Sequence, residues 1–205
     1  MEQSTHSRIL EAAKQEFSKK GFHQTVVSDI ADRAGVGKGT VYRHFGNKED
    51  LFGRLIREGT DTLEERIQEV LARPVSPQVA LEEILNVHFD FFEQSRELID
   101  IVIMEGLQRI GRVREELVQE LFRIRILLRR LFEVGIEQKV FRKRDPDQLA
   151  VLLQGYIWSI LRGAVIYELA DPRSTYRDLM LETFLQGILE SSQAQNQVSF
   201  YEIHE

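Results

Sequence analysis

The stretch TVVSDIADRAGVGKGTVYRHFGNK, residues 25–48, constrains the fold more than any other part of the chain. Apolar residues recur at helical spacing on both sides of Gly35, which predicts two short helices joined by a tight turn. Ala31, Gly35 and Val41 supply a small residue where the helices cross, a glycine in the turn and a branched apolar anchor in the second helix. Together these three positions predict a helix-turn-helix.

Helical patterns flank this stretch on both sides. Apolar positions in residues 7–20 predict a first helix that ends at Gly21, a residue suited to the left-handed conformation that commonly follows a helix. Thr25 is expected to cap the second helix with its hydroxyl. Asn47 is expected to cap a long fourth helix that ends before Pro74 and spans on the order of 37 Å.

The remainder of the chain continues the helical pattern and shows no strand pattern. Five further helices are expected, beginning near Pro77, Arg96, Val113, Pro146 and Thr175. The predicted fold class is therefore all-α with about nine helices. An N-terminal three-helix domain containing the helix-turn-helix is expected at residues 1–48, and a larger helical domain at residues 49–205.

Composition excludes several classes of protein. The 205 residues include no cysteine, which excludes disulfides, cysteine-bound zinc and thiol chemistry. The N-terminal residues lack the apolar core of a signal peptide, and no uninterrupted apolar run reaches the roughly 18 residues that a membrane span needs. A cytoplasmic protein that binds no membrane is therefore expected.

Charge is divided unevenly along the chain. The net charge is −6, yet residues 1–60 carry ten Lys and Arg against eight Asp and Glu, whereas residues 61–205 carry 17 against 25. Residues 36–48 contain three basic side chains, one histidine and no acid. A locally basic segment on an acidic body is typical of a DNA-binding unit joined to an effector domain. Charge alone does not distinguish this arrangement from chance clustering.

Neither a catalytic pattern nor a metal-binding pattern is present in the sequence. It contains no glycine-rich phosphate loop, no HExxH motif and no nucleophile elbow. The five histidines, at positions 6, 23, 44, 88 and 204, lack the spacing of metal ligands. We therefore expect no enzyme activity, no catalytic residue, no metal and no cofactor.

The start of the predicted third helix carries the candidate base-reading residues. In a helix-turn-helix the second helix lies in the major groove, and its first residues face the base edges. Gly37, Lys38, Gly39 and Thr40 occupy this start. The glycines would let the backbone approach DNA closely, and Thr40 can hydrogen-bond a base or contact a thymine methyl group. Arg43 is best placed for bidentate contact with guanine.

Residues 21–52, GFHQTVVSDIADRAGVGKGTVYRHFGNKEDLF, resemble the N-terminal signature of the tetracycline-repressor (TetR/AcrR) family of bacterial transcription regulators. The matching elements are a threonine that opens the second helix, Ile30 and Ala31, Ala34 to Val36, Lys38 to Thr40, Tyr42, His44 and Phe45, Lys48, and Leu51 with Phe52. The resemblance is strong over residues 7–55. Beyond these residues only the length and the helical pattern match.

The resemblance implies further DNA contacts. Tyr42 and His44 are expected to contact phosphates, and Lys48 is expected to hold the DNA backbone at the start of the fourth helix. Thr25 is expected to bind another phosphate through its hydroxyl and through the amides at the start of the second helix. Replacing Lys48 by alanine should then weaken binding evenly and flatten its salt dependence.

The predicted eighth helix is apolar nearly all round, which indicates burial on two sides. The resemblance implies that the eighth and ninth helices pair with their copies in a four-helix bundle. Two recognition helices would then lie about one DNA turn apart, roughly 34–36 Å. A helix fully internal to a monomer is the alternative. The candidate interface residues are Leu153, Tyr156, Ile157, Ile160, Tyr176, Met180, Phe184 and Ile188.

The resemblance also implies an effector pocket in the larger domain. Candidate lining residues are His88, Phe89, Phe92, Met104, Phe122, Ile126, Trp158 and Arg162. His88 also fits a hydrogen-bonded core residue, and Trp158 and Met104 also fit plain core. Arg162 lies in an apolar run, where an unpaired charge is costly. It is expected to pair with a nearby carboxylate, to reach the dimer surface or to await an anionic ligand.

These patterns and the resemblance predict a homodimeric repressor that binds a palindromic operator in double-stranded DNA. Release is expected from a small hydrophobic effector, either drug-like or anionic and acyl-CoA-like. The effector would favour an arrangement in which the fourth helix swings and the spacing of the recognition helices no longer fits DNA. The alternative is a DNA-bound scaffold of the same fold whose body binds a protein partner.

Overall fold

The computed structural model describes residues 4–105 and 111–189, the side chains of 104, 105, 111–114 and 116 excepted. Over these residues the chain forms eight α-helices and no strand, apart from an isolated antiparallel bridge between Phe141 and Leu189. The helices are α1 (Thr5–Gln24), α2 (Val27–Ala34), α3 (Lys38–Phe45), α4 (Lys48–Ala72), α5 (Pro77–Glu105), α6 (Gly111–Glu137), α7 (Pro146–Ile166) and α8 (Pro172–Ile188). The predicted all-α class is confirmed.

One helix stands where the sequence predicts two. The predicted fifth and sixth helices, divided before Arg96, are the single helix α5 within the described residues. Neither glycine nor proline interrupts this region, and buried apolar positions at Phe92, Leu98 and Ile101 continue through it. The end predicted at Ile110 lies outside the described residues.

Helix α7 begins as its sequence predicts but ends earlier. The Asp145 carboxylate accepts hydrogen bonds from the next two free amides at 2.8 and 3.1 Å, and Pro146 occupies the first helical position. The helix ends at Ile166 instead of Ala170 because Glu168 adopts a positive φ of 53°.

Two compact units divide the chain, and unit 1 consists of the described residues among 4–62, 91–105 and 111–121. Unit 1 contains the whole of α1, α2 and α3. Aromatic rings form the centre of its core, because the ring centroid of Phe52 lies 5.1 Å from those of both Phe17 and Phe22. Phe17 and Phe52 are fully buried. The domain boundary predicted after Lys48 stays a prediction.

Unit 2 consists of the described residues among 63–90 and 122–189, which include α7 and α8. Leu81, Phe132 and Leu153 are fully buried in it. By length and composition alone, α7 could also cross a membrane. A buried core helix has the same composition, and the apolar residues that α7 turns inward lie in the core of unit 2.

The connection between α6 and α7 folds back onto the end of α6. Gly135 lies against the Phe141 ring so closely that a Cβ atom at position 135 would be 2.1 Å from a ring carbon. The backbone amide of Arg142 donates to the carbonyl of Ile188 at 2.6 Å. The connection therefore fixes the C-terminal end of α8 as well as that of α6.

Candidate nucleic-acid interface

The predicted helix-turn-helix is present in unit 1. Helices α2 and α3 are joined at Gly35, which has φ 65° and ψ 40°, a left-handed conformation that favours glycine. The Val36 amide donates to the Ala31 carbonyl at 3.0 Å and closes the turn. Ala31 and Val41 are each 2% exposed. The three positions that predict the motif therefore have the structural roles expected of them.

The start of α3 presents open backbone. Gly37 is its N-cap and provides no side-chain cap, so the first amides of α3 receive no side-chain oxygen. Gly37, Lys38 and Gly39 are exposed, and no atom lies within 4 Å of a Cβ placed on either glycine. An approaching ligand can therefore reach the helix start without displacing protein atoms.

The outer face of α3 is basic and aromatic. Tyr42, Arg43 and His44 are exposed, Thr40 is half-buried, and the Lys38 ammonium lies 5.9 Å from the centroid of the Tyr42 ring. Val41 and Phe45 are buried on the opposite face. The structure therefore brings seven of the nine predicted DNA-binding residues together at α3. They are Gly37, Lys38, Gly39, Thr40, Tyr42, Arg43 and His44.

Thr25 differs from its prediction. Its side chain is fully buried, and its hydroxyl faces the carbonyls of Gly21 at 2.7 Å and Glu16 at 3.0 Å. Val26 is the N-cap of α2 and makes no side-chain capping bond. The prediction that the Thr25 hydroxyl caps α2 is wrong, because the hydroxyl turns back into the end of α1. The phosphate contact expected of Thr25 stays a prediction.

Lys48 also has partners that its sequence position did not indicate. Its ammonium donates to the carbonyls of Phe22 at 2.8 Å, Thr25 at 2.9 Å and His23 at 3.4 Å. The same nitrogen lies 4.5 Å from the centroid of the Phe22 ring. The expected cation for a DNA phosphate is therefore turned toward the protein backbone in this structure.

An ion-pair network that the sequence analysis missed fixes α2 on α1. The Glu16 carboxylate is 4% exposed, accepts from Arg33 Nε at 2.6 Å and lies 2.9 Å from the Lys20 ammonium. Lys20 also donates to Asp29 at 2.5 Å. Hydrogen bonds from Lys20 and Arg33 lower the pKa of Glu16 despite its burial. The sequence signal that could have indicated this network was the pair of opposite charges four residues apart, Glu16 and Lys20.

His6 is a second residue that the sequence patterns did not single out. Its ring stacks on Phe45 with centroids 4.8 Å apart, and its Nε2 lies 3.5 Å from the Glu58 carboxylate. Its ring centroid is 6.1 Å from that of His44. The N-terminal turn of α1 is thereby held against the C-terminal end of α3.

Three of the predicted pocket residues are buried in the cores of the two units, and the side chain of a fourth lies outside the described residues. In unit 2, Phe89 and His88 are buried, and His88 Nδ1 lies 2.7 Å from the Ile84 carbonyl. Burial lowers the pKa of His88, so its imidazole is neutral near pH 7 and Nδ1 is the donor. Phe92 is fully buried in unit 1. The Met104 side chain is not among those described.

The other four predicted pocket residues reach the surface of unit 2. Phe122 and Ile126 are 49% and 50% exposed, and Trp158 is half-buried. Arg162 is exposed, and the three roles expected of it, among them a side chain that reaches the dimer surface, stay predictions. Its face of α7 points away from the core. Among the residues that the structure describes, Arg162 has no ion pair.

Two clefts of unit 2 are lined by other residues. One, of about 300 Å³ between α4 and α5, is lined by Arg66, Glu69, Val70, Arg73, Glu83, Asn86, Val87 and Asp90. The other, of about 210 Å³ between α4 and α6, is lined by Gln68, Leu71, Ala72, Leu127 and Arg130. Neither cleft includes a predicted pocket residue.

The predicted dimer residues divide into two groups. One group is buried within unit 2 and is not available to a partner, namely Leu153, Ile157, Met180 and Ile188. The other group is half-buried, namely Tyr156, Ile160, Tyr176 and Phe184. The most exposed apolar side chains on the middle of these helices are Leu152 on α7 and Leu179 on α8, at 63% and 51%. The sequence pattern could not distinguish the buried residues from the half-buried ones, because α7 carries apolar residues on every side.

Comparison with known protein families decides the identity of the fold. Residues 9–55 match the model described as "Bacterial regulatory proteins, tetR family", and residues 77–162 match "Tetracyclin repressor-like, C-terminal domain". The chain belongs to the tetR family. The predicted fold, an N-terminal helix-turn-helix followed by a helical C-terminal domain, is thereby confirmed.

Relatives of this tetR-family protein are themselves regulators. It is 27% identical over 158 residues to the HTH-type transcriptional repressor KstR2 of Rhodococcus jostii (strain RHA1), covering 76% of this chain and 78% of that protein. It is 31% identical over 156 residues to the HTH-type transcriptional regulator YhgD of Bacillus subtilis (strain 168), covering 73% and 78%.

A solved structure of the same fold is that of the transcriptional regulator FadR from Bacillus subtilis in complex with stearoyl-CoA. The TM-score is 0.79 at 24% identity, covering 88% of this chain and 98% of that chain. The present protein is accordingly a DNA-binding transcriptional regulator of the tetR family. The assignments of individual residues stay predictions.

Proposed function

We propose that this tetR-family protein is a homodimeric repressor that binds a palindromic operator and releases it when an acyl-CoA-like effector binds its helical body. The observation that carries the proposal is the acid-free outer face of α3. Lys38, Tyr42, Arg43 and His44 are all exposed there beside an open helix start. Such a face suits the major groove, where cations meet phosphates and side chains reach base edges.

Each residue on this face has a proposed role. Arg43 would contact guanine through its two guanidinium donors, and Thr40 would contact the neighbouring base. Tyr42 and His44 would hydrogen-bond phosphates. Gly37 leaves room for the DNA backbone, because nothing lies near the position of its missing side chain.

The surface formed by α7 and α8 supports the dimer. Leu152 and Leu179 are more than half exposed, and no atom lies within 4 Å of a Cβ placed on Gly155 or Gly187. The Tyr156 hydroxyl lies 3.0 Å from the Thr183 hydroxyl and joins the two helices on this surface. Small and apolar residues together allow close packing of a second copy. We therefore assign the dimer contact to this surface and not to the buried residues of the same helices.

The choice of effector rests on the relative that was solved with stearoyl-CoA. Sites for drug-sized ligands usually measure roughly 300–1,000 Å³. The two clefts of unit 2, about 300 and 210 Å³, lie at or below this range. A long acyl chain fits neither of these two clefts, so we propose neither as its binding site. Preferential binding of the effector to one arrangement of the body is what lets a ligand shift the equilibrium.

A DNA-bound scaffold that binds a protein partner is the second candidate function. The observation that favours it is the exposed apolar pair Phe122 and Ile126 on α6. Failure of every acyl thioester to change DNA binding, together with capture of a defined protein that Phe122→Ser abolishes, would favour the scaffold.

The experiment that tests the repressor is selection of DNA from a random library, followed by binding titrations with stearoyl-CoA and with CoA alone. We expect a palindrome bound by two protomers. Stearoyl-CoA should weaken binding about 5- to 150-fold, the usual range of allosteric coupling, and CoA alone should not. A selected sequence without two-fold symmetry contradicts the dimer, and equal effects of both compounds contradict the acyl effector.

A further inference from the structure

Lys48 occupies an unfavourable place in its own helix. It is the first residue of α4, directly after Asn47, whose side chain accepts from the Asp50 amide at 2.7 Å and caps the helix. The positive end of the helix dipole lies at this terminus and disfavours a cation. The reason for a lysine at this position must therefore lie outside α4.

Three carbonyl groups outside α4 supply that reason. They belong to Phe22, His23 and Thr25, in the segment that runs from the end of α1 into α2, and they lie 2.8, 3.4 and 2.9 Å from the Lys48 nitrogen. An ammonium has three N–H donors, so these carbonyls use its whole donor capacity. A carbonyl at the end of a helix lacks an intrahelical donor, and a cation satisfies it well.

The segment that Lys48 holds is itself fixed to α1 and leads into the recognition motif. The buried Thr25 hydroxyl faces the carbonyls of Glu16 and Gly21, and the next residue, Val26, is the N-cap of α2. One ammonium therefore joins α1, the start of α2 and the start of α4. The packing of Phe22 on Phe52 keeps α4 close, but apolar contact is non-directional, whereas three hydrogen bonds set a direction.

We propose that Lys48 is a positioning residue for DNA recognition, which sets the orientation of α2 and α3 on α4 and does not contact phosphate. The proposal rests on the operator binding proposed above. A positioning residue matters only where α3 must match particular bases, whereas a phosphate contact strengthens binding to every DNA sequence.

The two roles predict different salt dependence. Each lost phosphate contact lowers the slope of log affinity against log salt by about 0.9 on duplex DNA. Loss of a positioning residue leaves the number of phosphate contacts, and hence the slope, unchanged. The ratio of affinities for a selected and a scrambled duplex supplies a second, independent readout.

The test compares the full-length wild type with Lys48→Met and with Lys48→Gln, which keeps two N–H donors but no charge. The probes are a duplex that the wild type selects from a random library and a scrambled duplex of equal composition, titrated at several KCl concentrations. For Lys48→Met we expect at least tenfold weaker binding to the selected duplex, less than twofold change on the scrambled duplex and unchanged slopes. Lys48→Gln should fall between Lys48→Met and the wild type on the selected duplex.

A phosphate contact at Lys48 would instead make Lys48→Met weaken binding to both duplexes and lower both slopes. The proposal is overturned by that result, or if Lys48→Met binds both duplexes as the wild type does. Thermal melting establishes that the variants are folded, and Lys48→Gln carries the comparison if Lys48→Met does not fold. If neither folds, Lys48 is needed for the fold itself and the positioning role is wrong. If the wild type selects no sequence, it is the proposed operator binding that fails.

Discussion

The carboxylate of Asp90 on α5 accepts a hydrogen bond from the guanidinium of Arg66 on α4, within unit 2. Its second oxygen accepts from Arg173 in the first turn of α8. One carboxylate therefore joins three helices of the body. Hydrogen bonds to charged groups contribute more than neutral ones, but partial exposure of all three side chains reduces the gain.

Asp90→Asn should lower the free energy of unfolding by about 1–2 kcal/mol, because the amide can satisfy neither cation as the carboxylate does. Urea unfolding of the variant measures the change. Glu83→Gln is the matched control, since it removes a single pair with the more exposed Arg73 and should cost less than about 1 kcal/mol. Equal losses in the two variants would contradict the special position of Asp90.

The contribution of Asp90 should also depend on pH. Burial raises its pKa, but hydrogen bonds from Arg173 and Arg66 outweigh burial and bring the pKa below its ordinary value of 3.8. A depressed pKa means that the stabilisation is complete above pH 3.8 and is lost as pH falls through the folded-state value. The stability difference between wild type and Asp90→Asn should therefore be constant from pH 5 to 7 and shrink below pH 3.8. A difference that grows on acidification would show that the pKa is raised.

Gly135→Ala should destabilise the protein by about 1–3 kcal/mol or more, the usual result of overpacking a core. The added methyl group would lie 2.1 Å from the Phe141 ring, which is fixed between α6 and the end of α8. Gly59→Ala is the control, because its methyl group would make ordinary contacts of 3.6 Å or more within a helix interior. That change should stabilise the protein by up to about 1 kcal/mol. Thermal melting of the two variants should thus give shifts of opposite sign.

Leu152→Glu should weaken the proposed dimer, because it places a charge on the exposed apolar surface of α7 without disturbing the core of the protomer. Sedimentation at several concentrations should show dissociation at least tenfold more readily than for the wild type. Val79→Glu, at a position on α5 that is 41% exposed, should leave association unchanged. Normal association of Leu152→Glu would place the dimer contact elsewhere.

Local patterns predicted the recognition motif well. The helix-turn-helix was predicted from Ala31, Gly35 and Val41, which all lie within eleven consecutive residues. The helix caps at Asn47 and Asp145 bind backbone amides only two or three residues further along the chain. Such interactions are encoded at fixed spacings, so they can be read without the tertiary structure.

Interactions between distant segments were not predictable in the same way. The Thr25 hydroxyl had two uses, capping α2 or bonding the end of α1, and only the packing of α1 decides between them. In the same way, the Lys48 ammonium could donate to a DNA phosphate or to backbone carbonyls, and the sequence alone does not show which of these lies within its reach. On α7, apolar residues on all sides removed the periodicity that would have separated Leu153, which is buried, from Leu152, which is exposed.

The base preference of the protein, and its dependence on Arg43, tests the central claim most directly. DNA should be selected in parallel with the wild type, with Arg43→Ala and with Lys19→Ala, an exposed lysine of α1. The wild type and Lys19→Ala should select the same palindrome with half-sites about one DNA turn apart. Arg43→Ala should lose preference for guanine at one position of each half-site, a change of about 1–3 kcal/mol. If Arg43→Ala selects the wild-type sequence with undiminished preference, α3 does not read the bases as we propose.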